Sequence, residues 1–151
     1  MNPKKCLNNK KGEKCEERRN LTHLMKGSEA IPALSVLNER FNMDDKIKKI
    51  RELNDNLRQN FTGGRVLITR GVAELPIDKQ LEIMEKVRNF SYFNKANDPN
   101  GEHDFGAFDV DGITYFWKID YYDHDYLYLS PDAADPNITN RVLTIMRADE
   151  Y

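Results

Sequence analysis

Apolar side chains recur at spacings of three and four at Ile47, Ile50, Leu53, Leu57 and Phe61, predicting an amphipathic helix over residues 43–61. Asp44 and Asp45 suit the positive N-terminal end of that helix, and Gly63-Gly64 stop it. Residues 65–70 read as a buried strand bounded by glycines. A second helix is expected from Pro76 to Phe90, with Pro76 in its first turn and Ile77, Leu81, Met84, Val87 and Phe90 as a core stripe. Residues 97–101 form a turn-rich loop. Tyr126 to Leu129 reads as a further extended segment, broken by Ser130-Pro131-Asp132. Asp135-Pro136 then opens a terminal helix with Ile138, Val142 and Ile145 on one face.

Between these lies a hairpin signature, Asp111-Gly112, flanked by aromatic and β-branched residues. A two-residue turn fixes the register. Val110 faces Ile113, Asp109 faces Thr114, Phe108 faces Tyr115, Ala107 faces Phe116, Gly106 faces Trp117, Phe105 faces Lys118, Asp104 faces Ile119 and His103 faces Asp120. Alternation puts Val110, Phe108, Gly106, Ile113, Tyr115, Trp117 and Ile119 on one apolar side, with Gly106 leaving room for the indole opposite. The other side carries Asp109, Thr114, Ala107, Phe116, Phe105, Lys118, His103 and Asp120. Asp104 is the anomaly, a carboxylate on the apolar side. Either the strand frays there or the group is buried and needs a partner.

These elements sum to an α+β fold: a small antiparallel sheet containing the 103–120 hairpin, covered on one face by about three helices. The 151 residues make one domain's worth of chain, expected over 43–151. Residues 1–42 read as a basic, partly disordered leader. The apolar fraction of 39% and charged fraction of 32% fit a partly solvated chain. Residues 1–28 hold eight lysines and arginines against three glutamates, so a net charge of -2 hides a leader of +5 on a body of -7. Such a leader can bind nucleic acid or remain a solvated tail. Its Cys6 and Cys15 read as free thiols, with only His23 near enough in sequence to supplement them in a metal site. No run of apolar residues reaches the length of a membrane span, and no apolar signal segment opens the chain. The expectation is a cytoplasmic protein with no membrane contact.

The chemistry concentrates between Glu102 and Asp125, where seven carboxylates and two imidazoles accompany a single basic residue, Lys118. Three readings compete. A metal-dependent hydrolase or nuclease would use His103, Asp104 and Asp120 around a divalent ion, with Asp123 and His124 available beside them. Lys118 would then steady a developing negative charge. A binding module without a cofactor would instead present Asp109, Asp120, Tyr121, Tyr122, Asp123, His124 and Asp125 to a basic protein partner, tyrosine combining contact area with a polar tip. In the third reading the aspartates only close turns and keep an aromatic sheet soluble, His103 and Asp120 being a satisfied pair. A phosphate loop is excluded at Gly63-Gly64, which follows a helix rather than a strand. Ser130 lacks the glycine pattern of a nucleophile elbow.

Several blocks resemble a family known as domain of unknown function 3768: residues 61–66 and 69–72, then 97–99, 101–106 and 116–123, then 130–136, 141–146 and 149–151. The resemblance covers about residues 45 to 151. It implies a small soluble proteobacterial protein, often encoded on plasmids, without an established activity. Such a setting implies accessory roles, in regulation or against host defence. The leading expectation is therefore an accessory binding protein with an acidic, tyrosine-rich face, and the alternative is the metal-dependent enzyme.

Overall fold

The computed structural model describes residues 32–151, and the fold set out here is that of the unit Arg40–Tyr151. Helix α1 runs Pro32–Asn60, starting well before the expected Met43. It ends where Phe61 and Gly63 turn to positive φ, 55° and 85°. Strand β1 (Arg65–Ile68) follows, then a single helical turn α2 (Arg70–Ala73) and helix α3 (Ile77–Arg88). The hairpin is β2 (Phe105–Val110) and β3 (Ile113–Tyr122); β4 (Asn140–Arg147) and a terminal 3-10 turn at Ala148–Glu150 close the chain.

The strands form one sheet in the order β1-β4-β3-β2. The hairpin register is the expected one from Phe105–Lys118 to Val110–Ile113. Asp111 and Gly112 both take positive φ, as a two-residue turn of this hand requires. β3 and β4 are antiparallel, but β1 runs parallel to β4, so the sheet is mixed. α1, α2 and α3 supply Leu57, Val72, Ile83 and Val87 to a core that meets Tyr115, Trp117, Ile119, Leu143 and Ile145 on one side of the sheet. The α+β architecture with helices on one face stands.

Four local expectations do not hold, each for a physical reason. The expected terminal helix at 135–145 is strand β4. The spacing of Ile138, Val142 and Ile145 mimics a helical stripe, but Val142, Leu143, Ile145 and Met146 are buried on both faces of an interior strand. β1 is an edge rather than a buried strand, with Arg65 and Leu67 exposed and Val66 and Ile68 half-buried. On α3 the core-facing residues are Ile83 and Val87, whereas Ile77 and Leu81 are exposed. The helix is rotated because Gln80 turns inward to donate to the carbonyls of Ala73 and Leu75, at 3.0 and 2.8 Å. Tyr126 to Leu129 is a loop in which only Leu129 bridges to Tyr122, because Tyr126 takes a positive φ of 59°. No described helix is long and apolar enough to cross a membrane. The basic leader through residue 28, with Cys6 and Cys15, lies outside the described residues.

Candidate functional site

The open end of the hairpin departs from strand geometry just where chemistry was expected. His103 has a φ of 54°, which takes it off the β2 line and ends the pairing at Phe105. It therefore does not meet Asp120. Its ring stacks on Phe93, centroids 3.6 Å apart, and its Nδ1 lies 2.9 Å from an Asp55 carboxylate oxygen on α1. Nε2 faces Asp98 at 3.8 Å. Asp120 instead receives Lys118 at 3.0 Å, and that bond raises the lysine's pKa. Asp104 still accepts from Ile119 N–H at 2.7 Å through its carbonyl. Its half-buried carboxyl is pushed up, first by burial and then by the charge of Glu102. So His103, Asp104 and Asp120 are not brought together. Among the described residues no three His, Cys, Asp or Glu side chains converge as a metal site would require.

A polar network that the sequence expectations do not include lies behind this end of the sheet. Asn54 on α1 is fully buried and donates to the Tyr121 hydroxyl at 2.7 Å and to the Glu102 carbonyl at 2.9 Å. It accepts from Arg141 Nε at 3.1 Å, and Tyr121 donates onward to the Glu102 carboxylate at 2.9 Å. Arg141 also donates to the Ala133 carbonyl. Burial lowers the Arg141 pKa and raises that of the Tyr121 phenol. Tyr121 is thus turned into the structure and leaves the expected contact set. Nearby, Arg58 caps α3 by donating to the Val87 and Arg88 carbonyls, both at 2.8 Å, and to Asp55 at 2.9 Å. Asn54 and Arg58 are spaced four apart on α1 in line with Ile50 and Leu57, the one signal that could have revealed them.

The remaining expected contact residues divide between two places. Asp109 lies near the hairpin turn, where it accepts from Thr114 Oγ1 at 2.7 Å. Asp120 is six residues up β3 from Thr114, about 20 Å away at strand rise. The 120–125 group runs from the last residues of β3 into the loop that follows. There Asp123 holds the loop itself: its N–H donates to the Tyr128 carbonyl at 2.9 Å, and its carboxylate accepts from Leu127 N–H at 3.0 Å. Asn140 on β4 donates to the carbonyls of Asp123 and His124, at 2.9 and 3.0 Å. Arg65 lies over the Tyr126 ring at 4.0 Å, and Tyr126 leans toward Tyr122. The stitched loop leaves Leu127, Tyr128 and Leu129 at 72%, 74% and 79% exposure, with His124 and Asp125 exposed beside them. Exposed, adjacent apolar side chains on a fixed backbone are what a partner-binding surface requires.

Residues 68–150 match the family described as Protein of unknown function (DUF3768), a span that takes in the hairpin, the loop and β4. No curated protein matches the chain, and no solved structure does.

Proposed function

Since the chain belongs to the DUF3768 family, whose description carries no activity, its role has to be read from its own surface, and we propose that it is a small accessory binding protein. Its contact with a protein partner is the loop from Asp123 to Ser130. The observation that supports this is the combination of fixed backbone and exposed apolar tip. The bonds from Asp123, Asn140 and Arg65 hold the loop before any partner arrives, so little ordering entropy opposes binding. Leu127, Tyr128 and Leu129 then offer apolar area and one phenol. Asp125 is exposed two residues before the tip, which suits a partner whose apolar recess is rimmed by lysine or arginine. A cytoplasmic, regulatory or anti-defence task on a mobile element, the setting the family resemblance implies, fits such an accessory role.

The experiment is affinity capture from the native host with the wild-type chain and with a Leu127→Ser, Tyr128→Ser, Leu129→Ser triple variant, followed by calorimetry on the captured protein. A partner retained by the wild type and lost by the triple variant is the expected result. A partner held equally by both would overturn the assignment of the loop.

A further inference from the structure

β2 ends the sheet, and its outer edge is open. The two-residue turn makes Val110–Ile113 a hydrogen-bonded pair, and the Ile119 N–H donated to the Asp104 carbonyl at 2.7 Å continues the same alternation. The even-numbered residues of β2 therefore bond inward to β3. The N–H and C=O groups of Phe105, Ala107 and Asp109 point outward, and among the described residues no other hydrogen bond reaches them. Natural edges are usually blunted by a lysine, a proline or a bulge. β2 has no lysine, proline or bulge, and a single charge, Asp109, near its turn end: its sequence is Phe-Gly-Ala-Phe-Asp-Val, and it pairs without interruption over all six positions.

We propose that β2 is a self-association edge, pairing antiparallel with β2 of a second copy about a two-fold axis at Ala107. This interface is separate from the loop assigned above. The outward residues are symmetric about that axis, so each Ala107 bonds its own counterpart, and Phe105 bonds the second copy's Asp109. Side chains agree with the register on both faces. On the helix-covered side Gly106 falls beside the second copy's half-exposed Phe108, so no side chain of the first copy opposes that ring in the register. On the open side the small, exposed Ala107 pair lets the two Phe116 rings approach, each already part of a cluster with Phe105 and Tyr151 at 5.4 and 5.7 Å. At the hairpin turn Lys79 of α3 already holds both Asp111 and Glu82, at 2.5 and 3.0 Å, so the association rests on backbone pairing and side-chain packing rather than on charge. A six-residue edge spans about 20 Å and buries less than the ~800 Å² per partner of a standard stable interface, so the dimer is weak and concentration-dependent.

Sedimentation and native hydrogen exchange on the full chain test this. Self-association should weaken about tenfold in both Ala107→Asp and Ala107→Lys, since each sets like charges directly opposite one another. An equimolar mixture of the two variants should recover it, because only a two-fold at residue 107 makes the substituted positions each other's partners. In the wild type, the amides of Phe105, Ala107 and Asp109 should gain protection as concentration rises, and Gly106 and Phe108 should not change. This second readout stands even if a variant fails to fold. A wild type that stays monomeric at NMR concentrations, a dimer indifferent to both substitutions, or a mixture that stays monomeric would overturn the proposal.

Discussion

The indole of Trp117 occupies the space that a side chain on Gly106 would need. A Cβ there would lie 2.6 Å from Cε2 and 2.8 Å from Cζ2 of the ring, closer than real carbon atoms approach. Trp117 is fully buried and edged by Phe90 and Phe93, with centroids 5.5 and 6.3 Å away, so it has no free direction in which to retreat. Gly106→Ala should therefore destabilise the fold by about 1–3 kcal/mol, the cost of overpacking a filled core. Urea unfolding followed by tryptophan fluorescence measures it. An unchanged midpoint would mean that the indole does not sit against this strand.

Asn54 joins helix α1 to β3, β4 and the loop before β2 through one amide. Its removal strands a buried guanidinium nitrogen on Arg141 and leaves the Tyr121 hydroxyl without its donor. Asn54→Leu keeps the branched skeleton, with bulkier methyl ends, but not the bonds, and should cost about 2–4 kcal/mol, since unsatisfied buried groups bear their full desolvation penalty. If the network contributes little, Asn54→Leu will match or exceed wild-type stability in the same unfolding assay.

Glu150 and Asp104 should impose opposite pH dependences. Thr69 Oγ1 donates to the Glu150 carboxylate at 2.5 Å, and the amides of Gly71 and Arg147 donate at 2.8 and 3.0 Å. These bonds hold its pKa below the ordinary 4.5. The stabilisation is present above the unfolded value and is lost as pH falls through the folded one. Glu150→Gln should flatten the acid side of a plot of unfolding midpoint against pH. A variant that keeps the wild-type slope would show that the terminal turn is not held this way.

At Asp104 the sign reverses. Burial, assisted by Glu102, lifts its pKa above the ordinary 3.8, so the protonated form is the one the fold prefers. Its contribution is full below the unfolded value and declines as pH rises through the folded one. Asp104→Asn, a neutral amide of the same shape, should raise stability at pH 7 and converge with the wild type in acid. A variant less stable at pH 7 would mean that the carboxylate has a partner worth more than its desolvation.

The hairpin was legible in the sequence because a two-residue Asp-Gly corner leaves one register, and Gly106 opposite Trp117 followed from that register alone. β4 was not legible. Interior strands are apolar on both faces, and a short apolar run satisfies helical and extended spacings alike until length and neighbours decide. α3 was recognised but its facing was not, since Gln80 bonds to the Ala73 and Leu75 carbonyls of the turn before the helix, which the apolar stripe does not register. The candidate site was legible only as a region. Tyr121 and Tyr122 are adjacent on a strand, and the alternation of Tyr115, Trp117 and Ile119 already puts Tyr121 on the core side, but its buried partner Asn54 lies on a helix far away in sequence. Leu127 and Leu129, which with Tyr128 dominate the exposed tip, were not legible as contact residues, because a short apolar run reads as a strand until its exposure is known.

His103 depends on a carboxylate that lies 48 positions earlier in the chain. The imidazole is held by Asp55 at 2.9 Å and by the face of Phe93, while its backbone sits in the left-handed region that a histidine adopts at a cost. Locally, the Asp98 carboxylate accepts from the His103 N–H at 3.2 Å. His103→Ala should lose about 2 kcal/mol, typical of a hydrogen bond to a charged group. Asp55→Ala should lose a similar amount, complicated by its second bond to Arg58 at 2.9 Å. A double-mutant cycle removes that complication, because the Arg58 contact is lost equally with and without His103. The cycle should return a coupling of at least about 1 kcal/mol. His103→Gly should recover part of the loss of His103→Ala by relieving the backbone, without restoring the coupling. Strict additivity of His103→Ala and Asp55→Ala would show that the loop before β2 is fixed to α1 by Arg51 and Asn54 alone, through their bonds to the Gly101 and Glu102 carbonyls at 2.6 and 2.9 Å.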